Sequence, residues 1–188
     1  AAGAQGLEID IRPTDAASRK LRVLFGGEPV FEAERLGDLL HQLDNELTIA
    51  LEHALPSLYF VHAAALANNG RVTLLVGDSG AGKSTTTFAL AASGMDYLSD
   101  ELAPIEPATG VVLPYPRAIC LKRDPPAPLS LPAVHLRTEW TLHVRAGGLR
   151  SRVVKEGLPL GRIVFVRYSP EHAQACLKPI SRGEAYAS

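Results

Sequence analysis

A chain of 188 residues is long enough to bury a core and suits one domain, or one domain with a small N-terminal extension. With 46% hydrophobic and 21% charged residues it has the composition of an ordinary globular chain, and a net charge of −1 supplies no field for nucleic acid or an anionic membrane. Cys120 and Cys176 lie far apart without C-x-x-C spacing, which points to neither a disulfide framework nor a zinc site and makes a reducing cytoplasm the expected compartment. No apolar run reaches the length of a membrane span, and no signal peptide stands at the start.

Residues 7–12 alternate apolar and polar, and Leu21-Arg-Val-Leu-Phe25 is similar, with turns at Pro13-Thr-Asp15 and Gly26-Gly27. These features predict a small antiparallel unit. The period then changes: Leu36, Leu39, Leu40, Leu43, Leu47, Ala50 and Leu51 recur at three and four, an amphipathic helix ended by Pro56 that carries His41 and His53 on its polar face. Residues 1–56 are thus read as a small β unit plus a helix, and residues 57–188 as the main domain. Residues 58–67 are apolar enough for one buried strand, interrupted only by His62. Asn68-Asn-Gly70 then turns the chain sharply, so the next strand must be antiparallel to it.

That next strand, Val72-Thr-Leu-Leu-Val76, opens the most informative stretch of the chain. Gly77, Asp78, Ser79, Gly80, Ala81, Gly82, Lys83 and Ser84 fit G-x-x-x-x-G-K-[ST], the phosphate-binding P-loop, and Thr85 continues into a helix. A di- or triphosphate must be wrapped by backbone N–H groups, so Gly77, Gly80 and Gly82 remove the side chains that would hold the backbone away. Lys83 places a charge on the β/γ oxygens, the Ser84 hydroxyl is suited to Mg²⁺, and the helix N-terminus faces the anion.

The helix is expected to end at Gly94, followed by one strand over residues 95–103 that returns beside the P-loop strand by a right-handed crossover. That strand carries Asp100-Glu101, only 17 residues beyond Lys83. Phosphoryl transfer needs a metal ligand and a group to take the acceptor's proton, and two adjacent carboxylates can divide that labour. Residues 104–122 read as short strands around a turn at Ala108-Thr-Gly110. Residues 123–132 hold four prolines and form a loop, and residues 141–168 give further short strands. Arg117 has the charge to contact a phosphate, but a charged residue after Pro116 reads first as an exposed strand end. Met95 is the only methionine, and Ser181 and Glu184 have capping-box spacing, so the native chain is expected to continue past Ser188. The fold class that follows is α/β, a mixed and largely antiparallel sheet around a strand, loop and helix.

The runs V-H-A-A-A-L, L-L-V-G-D-S-G-A-G-K-S-T and G-M-D-Y-L-S-D-E-L-A-P-I, in this order over about residues 57–122, resemble the catalytic domain of bacterial HPr kinase/phosphorylase and its shorter relatives. The phosphoenolpyruvate carboxykinases are more distantly similar. The resemblance implies a P-loop fold of that type and an ATP- and Mg²⁺-dependent serine kinase. Residues 77–85 would bind nucleotide, Ser84 would ligand the metal with Glu101 and Asp100, Asp100 would be the base that deprotonates a serine hydroxyl, and His62 would support the acceptor site. The second acid departs from the family's usual Asp-Asp, Glu101 being one methylene longer. Implied partners are ATP and ADP, a protein, peptide or small-molecule hydroxyl acceptor, and further copies of the chain in a homo-oligomer. The competing reading is a nucleotide-binding regulatory or assembly module of the same fold without transfer to a separate acceptor. A nucleic-acid role lacks a basic stripe or aromatic platform.

Overall fold

The computed structural model describes residues 6–171 and 174–186. In chain order the first unit comprises β1 (Ile9–Pro13), β2 (Leu21–Phe25) and β3 (Glu28–Ala33), an antiparallel sheet in that order, followed by α1 (Leu36–Ala54). β3 is a strand beyond the two that the alternation predicts. It folds back on β2 because Gly26 and Gly27 take φ of 59° and 87°, conformations that cost glycine little. Leu39 and Leu43 of α1 close over Val23 and Ala33, but the predicted stripe is buried only in part: Leu36 is 44% exposed, and Leu40, Leu47, Ala50 and Leu51 are half-buried.

The main body adds β4 (Tyr59–Val61), β5 (Ala64–Asn68), β6 (Arg71–Val76), α2 (Lys83–Ala92), β7 (Asp96–Ser99), β8 (Ala103–Glu106), β9 (Val111–Val112) and β10 (Ile119–Leu121). Then follow β11 (Leu136–Arg137), β12 (Leu142–Val144), β13 (Leu158–Phe165) and a short α3 (Arg182–Tyr186). Seven strands form one sheet in the order β4-β8-β9-β13-β6-β5-β7, and β10-β12-β11 form another. β13 against β6 is the only parallel pair among the described strands. The protein is therefore mixed α/β with mostly antiparallel sheets.

Three expectations need correction. The strand expected over residues 58–67 is two strands, β4 and β5, separated at His62-Ala63, and the one expected over residues 95–103 is β7 and β8, separated at residues 100–102. The two runs pair with each other in one register from Tyr59 opposite Ile105 to Ala65 opposite Ser99, both breaking at the same level, and the register shifts by one beyond that, with Leu66 opposite Tyr97. One ribbon thereby supplies both ends of the seven-stranded order. Nor does β7 return beside β6. The two-residue Asn69-Gly70 turn, with φ of 51° and 72°, pins β5 to one edge of β6, and β13 takes the other edge. The chain leaving α2 can land only outside β5, where β7 is found.

Leu66, Leu75 and Tyr97 on one face of the sheet pack with Phe88 of α2 and with Ile119, Leu121, Leu142 and Val144 of the second sheet. Ala65, Ala67, Val72, Leu74 and Leu98 pack on the other face with Ala103, Val112 and Val154. Both faces of β5 and β6 are buried, which explains their nearly continuous apolar sequence. α2 ends as Gly94 predicts: at φ 103° its N–H reaches the Ala91 carbonyl while the Met95 N–H reaches that of Leu90. Among the described residues no helix is long and apolar enough to cross a membrane.

Candidate active site

β6 delivers the chain to Gly77 at the end of a strand held on both edges, so the following loop starts from a fixed point. Gly77 has φ 155°, and a Cβ there would lie 2.6 Å from the Val166 carbonyl oxygen, a position only glycine can fill. Gly80 (φ 88°) borders open space, and Gly82 (φ 97°) is the N-cap of α2, with the Thr86 N–H bonded to its carbonyl at 2.9 Å. Lys83, 9% exposed, folds back under the loop, its Nζ donating to the Gly77 oxygen at 2.5 Å and to the Asp78 oxygen at 3.2 Å. The glycines and the lysine therefore form a cradle whose ammonium rests on two carbonyls.

The breaks between β4 and β5 and between β7 and β8 bring the acidic pair and His62 to the same place. Asp100 is 1% exposed, and its Oδ2 accepts the Cys120 N–H at 3.0 Å. Its Oδ1 is buried without a hydrogen-bond partner among the described residues. The Ser84 hydroxyl stands near enough to favour the ionised carboxylate, yet outside hydrogen-bond geometry to Oδ1. Burial pushes the Asp100 pKa up to about 7 with help from the Glu101 charge, against the Cys120 N–H, Ser84 and Arg117. Glu101 keeps 45% of its side chain exposed, and its Oε1 lies 3.7 Å from Nδ1 of His62, itself 58% exposed. His62 is thus not a mid-strand residue in apolar company but a residue at a chain break facing the second acid.

Asp78 to Thr86, Asp100, Glu101 and His62 line one open cleft of about 2290 Å³. A cavity of about 400 Å³ around residues 152–158 holds none of them. The chain matches no protein-family model, no curated protein and no solved structure.

Several cleft residues escape the sequence reading. Arg117 is no exposed strand end: its side chain is 16% exposed and pairs with Asp44 of α1, while its carbonyl accepts the Tyr97 hydroxyl at 2.8 Å. The contact tethers α1 to the cleft. The Gly37 N–H on Glu139 (3.0 Å), the Trp140 indole N–H on Asp38 (3.1 Å) and the Arg35 guanidinium 5.1 Å from the Trp140 ring centre tie the start of α1 to the segment between β11 and β12. Cys120 Sγ lies 3.4 Å from His143 Nδ1, and His143 Nε2 lies 2.8 Å from Thr141 Oγ1. Burial pushes the Cys120 thiol up to about 11 and lowers the His143 pKa, so a neutral thiol beside a neutral imidazole prevails at pH 7 and the pair is no thiolate nucleophile. Finally, Lys122 Nζ donates to Ser79 Oγ on the loop at 3.2 Å. Only strand alternation from Ile119 and Leu121 hints that Cys120 and Lys122 share a face.

Chemically, the arrangement offers an anion cradle, a buried carboxylate with an unused oxygen at its mouth, and a more exposed carboxylate and imidazole beyond. Among the described residues no three His, Cys, Asp or Glu side chains gather around one point. A divalent ion here would draw on the Ser84 hydroxyl, the acidic pair, phosphate oxygens and water, a donor set of hard oxygens that suits magnesium.

Proposed function

We propose that the protein is an ATP-dependent, magnesium-dependent kinase that moves the γ-phosphate to a hydroxyl, with a serine of a protein or peptide as the preferred acceptor. The proposed fold type is the P-loop fold of the HPr kinases and phosphoenolpyruvate carboxykinases, and the proposed compartment is the cytoplasm. One observation carries the reading: the Asp100 carboxylate is buried beside Ser84 at the mouth of the loop, with Oδ1 unbonded and a pKa pushed up to about 7. Only Oδ2, which accepts the Cys120 N–H, serves the fold; the free Oδ1 does not, whereas a general base works best with a pKa near the working pH.

Backbone N–H groups of residues 77–85 and the Lys83 ammonium would hold the phosphates of ATP. Ser84 with Glu101 would hold magnesium, which when bound neutralises charge on the phosphate oxygens, and Asp100 beside them is left free as the base. The acceptor hydroxyl gives its proton to Asp100 Oδ1 as its oxygen attacks the γ-phosphorus. The bond from that phosphorus to the bridging oxygen breaks, and ADP leaves with that oxygen. His62, 3.7 Å from Glu101, would stand at the acceptor side.

The test incubates the protein with γ-labelled ATP and magnesium against serine-bearing peptides and host lysate, beside Lys83→Ala and Asp100→Asn. The expected result is label on an acceptor with the wild type alone, while Asp100→Asn still binds ATP. Nucleotide binding without label on any macromolecule or small molecule would instead favour the module without transfer.

A further inference from the structure

We propose that Lys122 is a second phosphate-binding cation of this site, acting on the terminal phosphate of a nucleoside triphosphate from the open rim of the loop; this rests on the nucleotide reading above. Ile119 and Leu121 of β10 are buried in the cluster that holds Phe88 of α2, while Cys120 and, just past the end of the strand, Lys122 line the cleft. The Cys120 N–H holds Asp100 at 3.0 Å. Two residues on, about 6.6 Å along an extended chain, Lys122 Nζ reaches Ser79 Oγ at 3.2 Å. The same short segment therefore touches the carboxylate on one side and the phosphate loop on the other.

The two lysines of the site differ in what they hold. Lys83 is enclosed and lies under the loop on two of its carbonyls. Lys122 is exposed and spends its ammonium on a single neutral hydroxyl. Among the described residues it forms no ion pair, and the neighbouring carboxylate of Asp124 is engaged by Arg137 at 2.7 Å. An anion brought into the loop would offer this ammonium a shorter, charge-assisted bond in place of the hydroxyl. Lys83, reaching the β/γ oxygens, meets both nucleotides, whereas a cation on the rim is directed at the group that only the triphosphate has. There it would favour ATP over ADP and stabilise charge on the phosphoryl group during transfer.

The experiment titrates the full chain, with magnesium, by calorimetry against ADP and the β,γ-methylene analogue of ATP, using wild type, Lys122→Ala, Lys122→Arg and Lys83→Ala. Lys122→Ala is expected to weaken the triphosphate at least about tenfold and ADP less than about threefold, the difference expected from one charge-assisted bond. Lys122→Arg recovers most of the loss, and Lys83→Ala weakens both ligands. Equal losses for both ligands, or none for either, in Lys122→Ala overturn the role of Lys122 alone. A wild-type protein that binds neither nucleotide overturns the nucleotide reading itself.

Discussion

Replacing Asp100 by Asn should make the magnesium-free protein more stable at neutral pH and above, an advantage that fades as the pH falls toward 5. In the folded protein the carboxyl holds its proton up to about pH 7, whereas in the unfolded chain it lets go near 3.8. Between those values the unfolded chain binds fewer protons than the folded one, so stability falls as pH rises through this window and stays low above it. The rise from 3.8 to about 7, at about 1.4 kcal/mol for each tenfold in proton affinity, is a penalty of about 4 kcal/mol for the ionised residue. Asparagine does not ionise, although its amide group meets the same unbonded space as Oδ1 and gives back about 1–3 kcal/mol. That offset does not depend on pH. Urea denaturation of both proteins with a chelator at pH 5 and pH 8 isolates the titration: the advantage of Asp100→Asn should grow by about 3 kcal/mol between the two. A difference that stays constant with pH would refute a buried carboxylate with a raised pKa, and with it the case for a poised base.

Other substitutions probe the frame around it. Gly77→Ala puts a methyl 2.6 Å from the Val166 carbonyl oxygen and should abolish nucleotide binding at a cost of about 1–3 kcal/mol in denaturation, while Gly80→Ala, with open space around it, should cost only about 1 kcal/mol through its positive φ. Asp44→Ala leaves the largely buried Arg117 guanidinium without its carboxylate and should lower stability by about 1–3 kcal/mol, with faster proteolysis between α1 and β4. Tyr97→Phe removes the hydroxyl that reaches the Arg117 carbonyl and should cost about 1 kcal/mol, read from the denaturation midpoint at an unchanged slope.

What could be read from the sequence was local chemistry. The Asn69-Gly70 turn, the loop from Gly77 to Lys83, the Gly94 helix end and the Ser181–Glu184 capping box, with bonds of 2.7 and 3.3 Å, each depend on residues a few positions apart. What could not be read was pairing over distance. Nothing in the apolar run of residues 58–67 announces that it splits at His62, because the split is set by its partner breaking at Asp100. The place of β7 outside β5 is decided by which edges of β6 are already taken, and the tie from Asp44 to Arg117 spans 73 positions. Of the candidate site, the cradle, the acids and His62 were legible as residue types, but the raised pKa of Asp100 follows from burial that only the assembled sheet creates.

α1 lies before the first strand of the seven-stranded sheet, yet His41, Asp44, Asn45 and Thr48 form part of the wall around the cleft. A boundary drawn near residue 56 is consequently a seam in the sequence and not a place to cut. Removing what precedes it would strip one bank from the channel and bare the Arg117 side chain to water. Conversely, drift in the first fifty residues could reshape what the channel admits while the glycine loop, encoded farther along, stayed as it is.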